Sequence, residues 1–239
     1  MKYRKKTTPE TQAPEDPPRQ KRPYNSRSMV ERRQRILKAT LQLIEEDGVN
    51  GVTIRQISKK SDVALRTLYL YFGSREVIIG VAIKDFFYKN IEESGADPAP
   101  KTISSLLDRF DRLTDIIIGN KSYSSALAPI FFSANIDPGI YDILREIAIS
   151  HVKSFVCELA SSKANALSEE EKDLLIAQMA NIEFAVINDA LSGRIPLADL
   201  SACLKLAVLS LVAGFIPKPP ADLKAAIQDL RQSLNRSKG

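Results

Sequence analysis

From residue 28 onward the apolar positions recur at helical spacing, and no convincing two-residue alternation interrupts them. Met29, Val30, Ile36, Leu37, Leu41, Leu43 and Ile44 form the first stripe. The capping spacing Ser28-x-x-Glu31 opens it, and Gly48 stops it by supplying a left-handed C-terminal residue. A second capping box, Thr53-x-x-Gln56, starts a short helix that runs to about Lys60. Ser61, Asp62 and Val63 form a turn. The next helix covers Ala64 to Phe72, with Leu68 and Phe72 on one face at four-residue spacing, and Gly73 ends it. Ser74 caps a longer helix to about Glu93, where Glu76 in the first turn complements the helix dipole.

The segment Gly95-Ala-Asp-Pro-Ala-Pro breaks the pattern and divides the chain. Beyond it lies a stripe from Ile103 to Ile117, closed by Gly119-Asn120. A helix over Ser124–Asn135 is expected to kink at Pro129. Asp137-Pro138 places a cap and a first-turn proline ahead of a long helix whose stripe runs from Ile140 to Leu159. Ser168-Glu-Glu-Glu is a third capping box, Gly193 ends the helix it starts, and Pro196 opens the next. Pro217-Lys-Pro-Pro precedes a last amphipathic helix carrying Leu223, Ile227, Leu230 and Leu234. The predicted fold is all-α, with an N-terminal three-helix unit and its linking helix over 28–95 and a helical domain over 96–239.

Charge alters the picture at one end. Residues 1–27 hold eight basic groups against three acids, which equals the whole net charge of +5. The same stretch has five prolines and two aromatics, Tyr3 and Tyr24, too little apolar surface to fold alone. It reads as a flexible basic arm, either a solvated tail or a contact for phosphates or a minor groove. The longest apolar stretch, Leu206–Ile216, contains Ser210 and Gly214 and suits a buried helix, so no membrane partner is expected. Cys157 and Cys203 stand apart on apolar helical patterns and read as small core residues in a reducing cytoplasm.

Residues 53–72 supply a support helix, a turn and a second helix with exposed polar side chains, the parts of a helix-turn-helix. Ile57, Val63, Leu68 and Phe72 are the inner contacts that fix the interhelical angle, and the outer face of the second helix carries Leu65, Arg66, Thr67, Tyr69, Leu70 and Tyr71.

On V-A-L-R-T-L-Y-L-Y-F-G-S-R-E, from Val63 to Glu76 and preceded by T-I-R-Q-I-S, the sequence resembles the TetR/AcrR family of bacterial transcriptional regulators. The resemblance extends back to Ser28 and through the following helix. It implies DNA contacts by Thr53 and Arg55 near the start of the support helix, and base reading by Arg66 and Thr67. It places the hydroxyls of Tyr69 and Tyr71 on phosphates, and Arg75 at a helix N-terminus that holds another. Leu65 and Leu70 depart from polar choices and suit thymine methyls. Asp62 stands where glycine is usual in the turn; Asp tolerates the left-handed conformation, though an acid near DNA is unfavourable. The plain alternatives are that Tyr69 and Tyr71 pack on the first helix and that Arg55 and Arg75 are solvated charges.

The family also implies an effector cavity in the C-terminal domain, usually in a homodimer. The candidate lining is Ile117, Tyr123, Phe131, Phe132, Tyr141, His151, Phe155, Phe184 and Asn188, aromatics and a few polar groups that suit a small apolar or aromatic effector. Each of these residues has an ordinary core reading as well. His151 is the only histidine, which argues against a metal site, and no cofactor is expected. Residues 168–214 carry Ala202, Ala207, Ser210 and Ala213, small residues that permit a four-helix dimer face. The implied function is a homodimeric repressor that binds a palindromic operator in double-stranded DNA and leaves it on binding a small molecule. The alternative is an effector-independent DNA-binding protein acting in chromosome organisation or through a protein partner. No nucleophile elbow, phosphate loop or catalytically spaced carboxylate pair supports an enzyme.

Overall fold

The computed structural model of the chain describes residues 27–236, and all regular structure among them is helical. Residues 1–26 of the basic arm therefore lie outside the described residues, Arg27 already belongs to the first helix, and the side chain of Ser28 with its expected capping role is also outside them.

The first helix, α1 (Arg27–Gly51), is broken at Gly48, whose φ of 69° and ψ of 165° suit glycine and interrupt the helical backbone. The helix α2 (Ile54–Ser61) begins at the expected capping box: the Gln56 amide donates to Thr53 Oγ1 at 3.2 Å, and the Thr53 amide donates to Gln56 Oε1 at 2.8 Å. The helix α3 (Leu65–Phe72) starts one residue later than its apolar spacing predicts, with Ala64 as its cap. The helix α4 (Arg75–Glu93) is capped by Ser74, whose hydroxyl accepts from the Val77 amide.

The C-terminal half adds α5 (Ile103–Gly119), α6 (Lys121–Leu127), α7 (Pro138–Leu159), α8 (Glu169–Leu191), α9 (Leu200–Phe215) and α10 (Ala221–Arg236). Asp137 and Ser168 cap α7 and α8 as expected, Asp137 through the Gly139 and Ile140 amides. Two expectations give way. The helix predicted over 124–135 is not a kinked α-helix: it tightens at Ala128 into a 3-10 turn, Ala128–Phe132, and then ends. Pro129 lacks the amide that an α-helical ladder needs, and the tighter geometry tolerates that loss near a helix end. Pro196 likewise precedes a 3-10 turn, Leu197–Asp199, before α9 begins. Cys157 is exposed on α7 and is not a core residue, while Cys203 on α9 is half-buried. Their apolar neighbours are shared by both faces of their helices, and such neighbours do not fix which way a single small residue points.

Two apolar clusters hold the chain together. One joins α5, α7, α8, α9 and α10 around Phe110, Val152, Met179 and Leu204. The other joins Ile36, Ile57, Leu68 and Ile79 of the N-terminal helices to Tyr123, Phe131, Ile140 and Leu144. Apolar packing thus runs from the base of the helix-turn-helix into α6 and α7, with α4 packed on both α1 and α7. At Gly80 that approach is close: a Cβ there would lie 2.3 Å from Ile143 Cδ1. Lys84 Nζ of α4 also meets Glu146 of α7 at 2.7 Å, and this hydrogen bond raises the lysine pKa. The α8 helix and the 197–215 segment are long and apolar enough to cross a membrane by length and composition alone, and only 39% and 33% of their apolar windows are buried within the chain.

Candidate nucleic-acid interface and internal cavity

The turn between α2 and α3 is closed by local hydrogen bonds. Asp62 adopts φ 53° and ψ 45°, the left-handed conformation its position requires, and its amide donates to the Ser58 carbonyl. The Val63 amide reaches the same carbonyl at 3.2 Å, and Ser58 Oγ donates back to the Val63 carbonyl at 2.7 Å. Ile57, Val63 and Leu68 are buried beneath this turn, with Phe72 half-buried beside them, so the angle between the helices is set by packing. Outside the turn, Gln56 Nε2 donates to Asp47 Oδ2 at 2.9 Å, and Lys60 Nζ meets Glu46 at 2.5 Å. Both contacts tie α2 to the end of α1.

This scaffold exposes the side chains that the sequence singles out. Thr53, Arg55, Arg66, Tyr69 and Leu70 are exposed, and Leu65, Thr67, Tyr71 and Arg75 are partly so. Leu70 is 73% exposed, the highest figure among the exposed large hydrophobics of the described residues. A largely exposed leucine on this polar face has a methyl surface free to meet a base methyl. Thr53 serves a second purpose, since its hydroxyl is engaged in the α2 cap. Arg75 Nε lies 3.2 Å from Glu76 Oε1, so its charge is partly spent on its own helix. Lys59 is a further exposed base beside Arg55, and Asp62 is the acid on this face.

The second site is internal. A cavity of about 30 Å³, enough for one or two water molecules, lies between α4, α5, α6, α7 and α8. Of the residues proposed for an effector pocket, Ile117, His151 and Phe184 line it. The other six do not. Tyr123 is buried against Phe86, Phe131 is stacked behind Phe184, and Phe155 belongs to the core around α5. Phe132 is 52% exposed, and Tyr141 and Asn188 are half-buried elsewhere. Helical spacing assigns these residues to an inner face but cannot say which inner faces meet around a void.

Sequence reasoning missed the residue that organises this cavity. His151 and Glu183 are 1% and 3% exposed, and His151 Nδ1 lies 2.9 Å and 3.1 Å from the two Glu183 carboxyl oxygens. With its proton on Nδ1, the imidazole donates to the carboxyl group. The available signal was spacing: Leu175, Met179, Glu183 and Ile187 recur every four residues, and all four are buried. An acid on such a stripe needs a partner. Arg109 is buried nearby on α5, with Nη1 donating to the Asp97 carbonyl at 2.6 Å. Burial lowers its pKa, and the charges of Glu183 and Asp97 oppose that shift. Ser124 also lines the cavity, and its buried Oγ has no hydrogen-bond partner. No cluster of His, Cys, Asp and Glu able to hold a metal occurs among the described residues.

Comparison with known proteins bears on the first site. Residues 36–80, spanning most of α1 through the first turn of α4, match the family model of bacterial regulatory proteins of the tetR family. The HTH-type transcriptional repressor KstR of Rhodococcus jostii is 36% identical over 75 residues, which cover 31% of this chain and 34% of that relative. The match thus spans about a third of that relative's length. A TetR transcriptional regulator from Rhodococcus sp. RHA1 superposes with a TM-score of 0.58 at 20% identity, covering 77% of this chain and 97% of its own. The regulator FadR from Bacillus subtilis, solved in complex with stearoyl-CoA, superposes with a TM-score of 0.56 at 20% identity, over 73% of this chain and 97% of its own. These two likenesses show the fold over about three quarters of this chain, not its ligand.

Proposed function

This chain belongs to the TetR family of bacterial regulatory proteins, and from that premise we propose that it is a homodimeric transcriptional repressor released from its operator by a small apolar or aromatic effector. Residues 28–95 bind DNA, residues 96–239 sense and dimerise, and the protein works in the cytoplasm. The observation that carries this reading is the α3 face. Arg66, Tyr69 and Leu70 project from a short helix whose inner side is fixed by Leu68.

The mechanism follows from that geometry. Arg66 donates two hydrogen bonds to one guanine edge, and Leu70 meets a thymine methyl. Tyr69, Tyr71, Arg55 and Arg75 hold phosphates, which fix register without reading sequence. Dimerisation through the half-exposed outer faces of α8 and α9 sets two α3 helices about 34 Å apart, one turn of DNA, so the operator is palindromic. The proportion of those helices left unburied within one chain supports this face. An effector acts only by favouring a spacing that misfits DNA. The path is short, because the cavity touches α7 through Leu144, Ile147 and His151, and α7 packs on α4 at the Gly80–Ile143 approach with the exposed Lys84–Glu146 pair beside it.

The decisive experiment is a gel shift on the DNA flanking the gene. Arg66→Ala is expected to weaken binding by about 1–3 kcal/mol. Tyr69→Phe loses a phosphate contact and weakens all sequences alike. Unchanged affinity in both variants refutes the assigned contacts. The small volume of the cavity is the one observation favouring an effector-independent DNA-binding protein. Operator release by no small molecule, with palindromic binding intact, would establish that alternative.

A further inference from the structure

We infer that the cavity beside His151 takes an uncharged molecule with a hydrocarbon body and one hydroxyl group, of the phenol type, and rejects carboxylates. This deepens the effector reading above and rests on it for the consequence of binding, not for binding itself.

The walls are mostly apolar: Leu113, Ile117, Ile147 and Phe184 are typical. Only Ser124, His151 and Glu183 bring side-chain polar groups to it. The imidazole spends its Nδ1 proton on Glu183, which still has lone pairs free to accept. Ser124 Oγ is buried and has no partner within the protein, so it can donate, while Glu183 and the unprotonated Nε2 of His151 can accept. Water aside, a hydroxyl is the smallest group that combines a donor for the Glu183 carboxyl with an acceptor for Ser124. A ligand carboxylate can donate nothing and sets a second negative charge against Glu183 in an apolar wall. A plain hydrocarbon leaves Ser124 without a partner.

Size locates the part that yields. A dry cavity that binds benzene is on the order of 150 Å³, so one ring needs more room than the 30 Å³ present. Phe184 forms one wall, and its other face stacks on Phe131 at 4.1 Å and 8°. Phe131 stacks in turn on Tyr141 at 5.1 Å and meets Phe132 edge-on. Phe131 and Phe132 ride on the 3-10 turn, with Phe132 half-exposed to solvent. This column of rings leads from the cavity to the surface, and its displacement admits the ligand.

The test uses the full-length protein and a matched series of para-propylphenol, para-propylbenzoate and propylbenzene. Binding is measured by calorimetry and by the shift in melting temperature, without DNA. The phenol is expected to bind at least tenfold more tightly than either analogue. Ser124→Ala should reduce phenol affinity about fivefold or more and leave propylbenzene unchanged. Glu183→Gln should narrow the gap between phenol and benzoate. Benzoate or propylbenzene binding within threefold of the phenol overturns the proposal, as does absence of phenol binding at its solubility limit. A parallel gel shift separates the two claims: phenol binding without operator release leaves the cavity assignment standing and removes the repressor-release mechanism.

Discussion

Replacing both members of the buried pair should cost much less than the two single replacements added together. His151→Leu leaves the Glu183 carboxyl group, 3% exposed, without its imidazole donor. Leaving a buried carboxyl group without its donor costs about 3 kcal/mol, and Arg109 still offsets its charge. Glu183→Leu leaves the imidazole N–H unpaired, worth about 1–3 kcal/mol, and also strips Arg109 of a favourable charge. The double variant loses donor and acceptor together and keeps only the Arg109 cost. The two unpaired-group costs drop out of the double variant, so the coupling is about 4–6 kcal/mol, well above the 0.3–0.5 kcal/mol scatter of independent sites. Urea unfolding, with each variant at the same protein concentration, measures it. In melting temperature, His151→Leu should lower the midpoint by about 6–12 °C at about 2–4 °C per kcal/mol. Additivity within about 0.5 kcal/mol would show that the pair is not coupled and would remove the electrostatic account of the cavity.

Three further outcomes follow from local geometry. Tyr123 is buried with an unpartnered hydroxyl, so Tyr123→Phe should be neutral or stabilising by up to about 1–2 kcal/mol. Burial raises the Tyr123 pKa well above its ordinary value, so the folded state binds its proton more tightly than the unfolded state. Stability is therefore independent of this group's titration below about pH 10 and falls as pH rises above that, and Tyr123→Phe should flatten this alkaline loss in a pH series of melting curves. Asp62 holds a left-handed conformation, so Asp62→Gly should stay within about 1 kcal/mol of the parent, whereas Asp62→Val should lose at least about 1 kcal/mol. The glycine variant also removes an acid from the DNA face, and a filter-binding assay should show tighter operator binding. Thr53→Ala removes the α2 capping box and should cost about 1 kcal/mol in denaturant unfolding.

Local chemistry accounts for what could be read along the chain. The caps at Thr53, Ser74, Asp137 and Ser168 stand where their spacing places them, because a cap needs only a side-chain oxygen and the amides two or three residues on. The left-handed turn at Asp62 was legible for the same reason, and so was the exposed face of α3, which must oppose the buried Leu68 on an eight-residue helix. The 3-10 turn at Ala128–Phe132 was not, because a proline near a helix end permits both a kink and a tighter turn.

The internal site lies at the other extreme. His151 and Glu183 are 32 residues apart, and no periodicity links them. Each alone reads as one polar residue on an apolar stripe. Only the packing of α7 on α8 brings the imidazole to the carboxyl group, and only the approach of α5 and α6 encloses the space beside them. The same holds for Phe131 and Phe184, whose stack unites a short turn with the middle of α8. Sequence by itself determined that the chain is helical, where most of its helix caps lie and which residues α3 exposes, because these depend on neighbours within a few positions. Tertiary structure decided which buried groups meet, how little room lies between them and how that room is joined to α4, because contacts between distant helices carry no signature along the chain.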